Sequence, residues 1–449
     1  MAFSRGVHGW IKKFKCNYHL EQLFMQKIIL HLDFNSYFAS VEQQANPFLR
    51  GKAIAVAGKS KHSIDVSKAD KLKTRFNVDQ SRLHRTVITT ASREAKKLGV
   101  KTAMSSLEAR RMVPELIIIP GDPKKYSEVT ARFLAILRRY ADAVEQFSTD
   151  EAFADITYAA QEYFGATMIA QRIRNDIKQE IGEVCTVSIG IAPNKLVAKL
   201  AGESVKPNGL TVVRPEHVEL FVTQQPLEAV CGIGSRIEHR LNALGISSIA
   251  SLQEASMETL RNEFKEHTAD FLYGALHGMG DDDVCDIAAD PKSVGHSYTF
   301  PHDLESPLEM QINLLALCDK VAWRMRRDGF VATEISVYAR YSDFGGAYST
   351  KRVRDPMEDG LSLYKTAWTL LESIRHPHER VRLLGVSARG LLKTEQPRSL
   401  FKKDEKMHLT LRALDTIQER YGSGIWSRAA TMKTDFKERI SGWHYDHEV

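Results

Sequence analysis

The sequence predicts a multidomain α+β protein, on three observations. Its 449 residues exceed what one ordinary hydrophobic core organises, so two to four domains are expected. Apolar runs of strand length, such as KIILHL and ELIIIP, are separated by stretches with helical spacing. Two acids, Asp150 and Glu151, stand side by side within an otherwise strand-like stretch, FSTDEAFADIT (residues 147–157). Neighbours on a strand point to opposite faces, so such a pair serves one site only where the backbone turns, and Ser148 and Thr149 favour a turn. Taken alone, the pair reads as a solvated hairpin tip.

Composition narrows the classes. Hydrophobic content of 43% and charged content of 26% are globular values and exclude wholesale disorder. A net charge of +6 permits a polyanionic partner without demanding one. Basic residues gather at 59–85, in WRMRR (323–327) and in KRVR (351–354), as solvated faces or as phosphate contacts. Cys16, Cys185, Cys231, Cys285 and Cys318 are scattered without a Cys-x-x-Cys pair, which fits a reduced intracellular protein lacking structural zinc. No apolar run reaches membrane-spanning length, and residues 1–26 lack the apolar core of a signal peptide, so they are set aside as an N-terminal extension.

In chain order, residues 27–32 read as a buried strand running into Asp33. Asn35 or Ser36 is placed to cap the helix SYFASVEQQA, whose Phe38, Val41 and Ala45 share a face. KAIAVAG (52–58) and RTVITTA (85–91) read as hairpin strands separated by a basic segment that is long for a hairpin loop. Helical patterns in SREAKKLG and SSLEARRMV lead to the strand ELIIIP and a long amphipathic helix over 123–140. The acidic pair follows, then a helix around 160–180, the strand CTVSIGIA and a helix over 194–201. With the inserted segment set aside, the order is strand, helix, strand, strand, helix, strand. That is the ferredoxin-like arrangement, in which Asp33 and the Asp150/Glu151 turn lie on adjacent central strands.

Three convergent carboxylates repel one another and so ask for cations. All-oxygen ligands favour a hard ion such as Mg²⁺, which shares its shell with substrate phosphates. Two such ions serve phosphoryl transfer by activating an attacking hydroxyl and stabilising the leaving oxygen.

HLDFNSYFASVE (31–42), FSTDEAFADIT and SIGIAPNKLVAKLAGESVKPNGL (188–210) together resemble, in order and spacing, the palm motifs of Y-family translesion DNA polymerases. The resemblance is to the bacterial and archaeal polymerase IV branch and covers roughly residues 27–393. It implies Asp33, Asp150 and Glu151 as catalytic metal ligands, with the Phe34 carbonyl completing one shell around two Mg²⁺ ions, or Mn²⁺ in their place. It implies Phe38 as a steric gate against ribonucleotides, a role compatible with a core position, and Tyr37 near the triphosphate. The family's Tyr and Arg, three residues apart after a Thr, are here Arg93 and Lys96 after Thr90, and Lys lacks the bidentate fork of Arg. Lys206 in KPNG matches the family's other triphosphate lysine.

AVCGIGSRIEHRLNALGISSIASL (229–252) reads independently as a helix-hairpin-helix. Its Gly232-Ile233-Gly234 turn brings backbone N–H groups toward a DNA phosphate, or else packs two core helices. From 291 the pattern is again strand, helix, strand, strand, helix, strand, resembling the family's little finger, with Arg352 and Arg354 as phosphate contacts. QPRSLF (396–401) resembles a sliding-clamp peptide through Gln396, Leu400 and Phe401, and 414–426 reads as a C-terminal helix that packs back or serves a partner.

The whole is a right-hand polymerase: a ferredoxin-like palm (27–50 and 113–210) with inserted fingers (51–112, basic insertion about 59–85), a helical thumb (211–290) with the helix-hairpin-helix, an α/β little finger (291–395) and a tail (396–449). The expected activity is low-fidelity translesion synthesis on primer–template DNA with dNTPs, by a cytoplasmic, nucleoid-associated monomer without proofreading. The alternatives are an inactive DNA- and clamp-binding scaffold, disfavoured by retention of all three acids, and a nucleotidyl cyclase, which has no need of duplex-holding domains.

Overall fold

A computed structural model describes residues 26–58, 86–276, 283–287, 290–376, 379–393, 402–422, 425–432 and 434. The N-terminal extension, the basic insertion and the clamp peptide (Gln396, Leu400, Phe401) lie outside the described residues.

The elements are β1 (Ile29–Phe34), α1 (Tyr37–Ala45), β2 (Ile54–Ala57), β3 (Ile88–Ala91), α2 (Arg93–Lys97), α3 (Ser106–Met112), β4 (Ile117–Pro120) and α4 (Pro123–Leu137). Then come β5 (Ala143–Gln146), β6 (Glu151–Asp155), α5 (Thr157–Ala160), α6 (Tyr163–Glu180), β7 (Val187–Ala192), α7 (Lys195–Ser204) and β8 (Leu210–Val212). A helical run follows: α8 (Val218–Thr223), α9 (Ser235–Ala243), α10 (Ile249–Glu254), α11 (Met257–Glu263) and α12 (Glu266–Leu276). The last group is β9 (Ser293–Leu304), α13 (Pro307–Arg327), β10 (Phe330–Tyr341), β11 (Gly346–Met357), α14 (Gly360–Ile374), β12 (Val381–Lys393) and α15 (Lys402–Tyr421).

The chain divides into two compact units, one of Met1–Ala55, Thr90–Gly99 and Lys125–Ala288, the other of Val56–Thr89, Val100–Lys124 and Ala289–Val449. In the first, a five-stranded sheet runs β5-β6-β1-β7-β8. The antiparallel pairs β1·β6, β1·β7 and β5·β6 give the ferredoxin-like arrangement, and β8 adds a parallel edge beside β7 after the α7 crossover. The central strand β1 is apolar on both faces because both are covered, which is why KIILHL shows no alternation.

Two local expectations are corrected. The first strand lies at 29–34 and not 27–32, because Asp33 and Phe34 remain paired to β6 and β7. Ser36 occupies the N-cap of α1 with φ +54° and makes no side-chain cap, while Asn35 donates to the Thr186 carbonyl at 2.9 Å. The helix expected around 160–180 is α6 (Tyr163–Glu180), set off from the short α5 by Gln161, which takes φ +60°. β2, β3 and β4 form a three-stranded sheet in the order β3-β2-β4.

In the second unit the sheet β11-β10-β12-β9 packs one face against α13 and α14 around a core that includes Leu314, Val321, Ile335, Val337, Leu363, Leu371 and Leu384. The C-terminal helix packs back on this body. Asp415 of α15 receives both Nε and Nη2 of Arg326 at 2.7 Å, with only 7% and 12% of the two side chains exposed. Removing one partner leaves a buried charge, which costs about 3–5 kcal/mol. Arg326→Ala is therefore expected to release α15, seen as loss of amide-exchange protection over 402–421; unchanged protection would show that the helix docks by apolar contact alone.

Candidate active site

β1 ends between β6 and β7 with Asp33 directly opposite Glu151 on one side and Ser188 on the other. The turn before β6 is closed by the Phe147 and Ser148 N–H groups, both donating to the Glu151 carbonyl at 3.0 Å. Asp150 sits on that turn, its carbonyl accepting from the Phe34 N–H at 3.0 Å, and Glu151 is the first strand residue. The turn resolves the parity problem: adjacent acids reach the same strand end because only one of them obeys strand alternation. Glu151 is 7% exposed, so this is no solvated hairpin tip.

Each acid has a partner from elsewhere in the chain. Lys206 donates to Asp33 at 2.8 Å and to Glu203 at 2.7 Å. Glu151 is bound by both His31 and Lys199 through one oxygen. Ser148 Oγ donates to Asp150 at 2.5 Å. Burial pushes Asp33 up to about 7 against the pull of the Lys206 ammonium, and burial likewise raises Asp150 against the Ser148 hydrogen bond. Burial also acts to raise Glu151, but the His31 and Lys199 contacts together outweigh it and hold that carboxyl below its ordinary value. Burial lowers His31, so the imidazole is neutral and its Nε2–H donates to Glu151; Nδ1 has no partner among the described residues.

Two lysines thus stand among these acids. Lys199 and Lys206 reach them from α7 and from the turn beyond it. Lys199 follows Lys195 by one helical turn in NKLVAK, a spacing that marks one helix face; nothing in the sequence ties that face to residue 151.

As the side chains stand, no three His, Cys, Asp or Glu groups among the described residues converge to hold a metal ion. The cause is visible in the partners, because Asp33 is drawn to Lys206, Glu151 to Lys199 and His31, and Asp150 to Ser148. The donor set itself, three carboxylates at one strand end, fits a hard divalent cation. The Phe34 ring is 2% exposed and packed on Tyr37 and Phe133, which leaves only its backbone to take part.

The nucleotide-side residues gather unevenly. Arg93 opens α2 and donates to Thr186, while Thr90 lies on β3 in the strand leading to it. Lys96 is lowered by burial and then by the Lys206 charge, and it feels Asp33, Arg93 and Asp150, so these charges share one neighbourhood. Phe38 is 7% exposed and stacks on Tyr126 with ring centres 4.4 Å apart. Tyr37 differs from expectation. Its hydroxyl is buried and hydrogen-bonded to the Tyr126 carbonyl (2.7 Å) and Thr130 Oγ1 (2.9 Å), so its side chain is a core group and does not face a ligand.

Farther along the same unit, Gly232 takes φ +103° before α9, Ile233 is 4% exposed and Gly234 is the N-cap. A side chain at 232 would strike the Phe271 ring at 2.6 Å, so the turn presents backbone only. In the second unit, Arg352 and Arg354 are exposed on the edge strand β11, Arg352 with Glu334 at 3.2 Å.

Three family models match the chain: the impB/mucB/samB family over residues 32–203, its C-terminal domain over 291–400, and the DNA polymerase-iota thumb domain over 228–280. The DNA polymerase IV of Desulfatibacillum aliphaticivorans is 31% identical over 421 residues, covering 92% of this chain and 99% of that protein. Among solved structures, a Y-family DNA polymerase chimera of Dbh and Dpo4 superposes with a TM-score of 0.70 at 26% identity, over 82% of this chain and 100% of the other. An insertion ternary complex of Dbh DNA polymerase gives 0.52 at the same identity and coverage.

Proposed function

Since this chain belongs to the impB/mucB/samB family and is a Y-family DNA-directed DNA polymerase with the right-hand fold, we propose that it performs low-fidelity translesion synthesis, adding dNTPs to a primer 3′-hydroxyl without proofreading. The observation that carries this reading is the strand-end pairing of Asp33 with Glu151, with Asp150 on the adjoining turn. Asp33, Asp150, Glu151 and the Phe34 carbonyl would hold two Mg²⁺ ions, or Mn²⁺. Bound there, such ions supply Lewis-acid polarisation of the phosphoryl oxygens and a lowered pKa for the attacking hydroxyl.

The residues of the chain do the rest. Lys206 exchanges Asp33 for the triphosphate, and Arg93 and Lys96 add positive charge beside it, with Thr90 on the strand leading in. Phe38 bars the 2′-hydroxyl of a ribonucleotide. The Gly232–Gly234 turn and the Arg352/Arg354 strand hold primer–template phosphates without reading sequence. Gln396, Leu400 and Phe401 dock on a sliding clamp. In domain terms the palm is 27–50 and 113–210, the fingers 51–112, the thumb 211–290 and the little finger 291–395. The enzyme works as a monomer on cytoplasmic, nucleoid DNA.

Primer extension on undamaged and abasic templates tests this. The expected result is a template-dependent ladder that passes the lesion and no shortening of a mismatched primer; a stop at every abasic site, or 3′ trimming, would count against it. For the gate, Phe38→Ala is expected to lower discrimination against ribonucleotides by roughly 10–200-fold, the range in which a shaped apolar contact separates close analogues. Single-nucleotide insertion kinetics measure this, and an unchanged dNTP/rNTP ratio would make Phe38 a core residue only.

A further inference from the structure

We propose that Tyr126 is a specificity-determining residue that fixes the sugar gate from behind. This rests on the reading of Phe38 as that gate. A gate ring excludes a hydroxyl only if it does not yield when pressed, so whatever stiffens Phe38 contributes to selectivity. Tyr126, from the first turn of α4, stacks on Phe38 at 4.4 Å with 29° between the ring planes, and is itself 2% exposed. Its hydroxyl donates to Glu42 Oε1 at 2.9 Å, and Glu42 is 6% exposed and bound through both oxygens by Lys125 at 2.8 and 3.0 Å. The backing ring is therefore pinned at its far end by a buried charge-assisted bond, which is stronger and more directional than a neutral one.

The same residue is tied to the helix that carries the gate. Its carbonyl accepts from Tyr37 Oη at 2.7 Å, and Thr130 Oγ1, one turn on and 2.9 Å from Tyr37 Oη, donates to the Thr149 carbonyl at 2.6 Å. One face of α4 thus holds both the gate helix α1 and the turn bearing Asp150. Stacked aromatic pairs resist displacement beyond what their buried area explains. Tyr126 is buried and stacked on Phe38, so it acts through that ring and is a positioning residue.

The test is single-nucleotide insertion of dNTP and rNTP by wild type, Phe38→Ala, Tyr126→Leu and Tyr126→Phe. Tyr126→Leu, which removes the stack, is expected to lower the dNTP/rNTP ratio of kcat/KM by about tenfold. Tyr126→Phe, which keeps the ring and loses the pin, is expected to lower it by a smaller factor and to fold normally, so it decides the matter if the leucine variant does not fold. Purely structural damage would depress both substrates alike and leave the ratio in place. If Phe38→Ala relaxes the ratio while folded Tyr126 variants keep the wild-type value, the inference is overturned. If Phe38→Ala also leaves the ratio unchanged, the gate reading fails and this inference with it.

Discussion

Asp150→Ala and Glu151→Ala are each expected to reduce primer extension by about 10³-fold or more, since each removes several kcal/mol of charge stabilisation from the phosphoryl-transfer step. The two variants should differ in stability. Asp150 lies on a turn, where its side chain accepts from Ser148 at 2.5 Å, and its loss leaves no buried cation. Glu151 is the shared acceptor of His31 and Lys199, whose side chains are 0% and 19% exposed. Removing it strands an ammonium and an imidazole N–H in the core, at a cost of about 3–5 kcal/mol. The expected result is therefore two inactive proteins, of which Glu151→Ala melts well below wild type and Asp150→Ala close to it. Glu151→Gln, which retains an acceptor oxygen, should recover most of the stability and little of the activity. Extension assays beside thermal unfolding check this, and an active Asp150→Ala would remove the acidic pair from the chemistry altogether.

Gly190→Ala should be nearly as damaging from a position that touches no ligand. A Cβ on Gly190, in the middle of β7, would lie 2.0 Å from the Ala198 carbonyl oxygen and 2.3 Å from the Gly202 nitrogen. Both are backbone atoms of α7, so no rotamer change relieves the clash and the whole helix must lift. Gly202 lets α7 approach the same sheet, where a Cβ would stand 2.7 Å from His31 Nδ1 on β1 and 3.3 Å from the Gly190 nitrogen. Overpacking of this kind costs about 3 kcal/mol or more when backbone must move. Because α7 carries Lys199, lifting it also withdraws the cation from Glu151. We expect a lower melting temperature together with reduced extension below that temperature. Wild-type values for both would show that the strand bends aside and that the helix–strand contact is not limiting.

Much of the architecture is present in local pattern. The βαββαβ order, the helical spacing of Phe38, Val41 and Ala45, and the turn chemistry of Ser148-Thr149 suffice to bring Asp33 beside the Asp150/Glu151 turn, because period and turn type are properties of neighbouring residues. Element ends were less legible. β1 runs two residues past its apolar stretch because hydrogen bonds to β6 and β7, and not hydrophobicity, decide where a strand stops. Ser36 has the composition of a cap but not its geometry, since its left-handed backbone turns the hydroxyl away from the helix N–H groups.

Local pattern carries the fold class, the family and the meeting of the three acids, together with the lysine in KPNG. What those groups touch is set by contacts across the fold. Glu151 meets Lys199 across 48 residues and His31 across 120, and Asp33 meets Lys206 across 173. The fold also turned Tyr37 into the core and set Tyr126 against Phe38. The physical reason is range. Periodicity and turn propensity act between neighbours, whereas burial, charge pairing and close packing act between whichever residues the fold brings within a few ångströms, and no spacing along the chain records that.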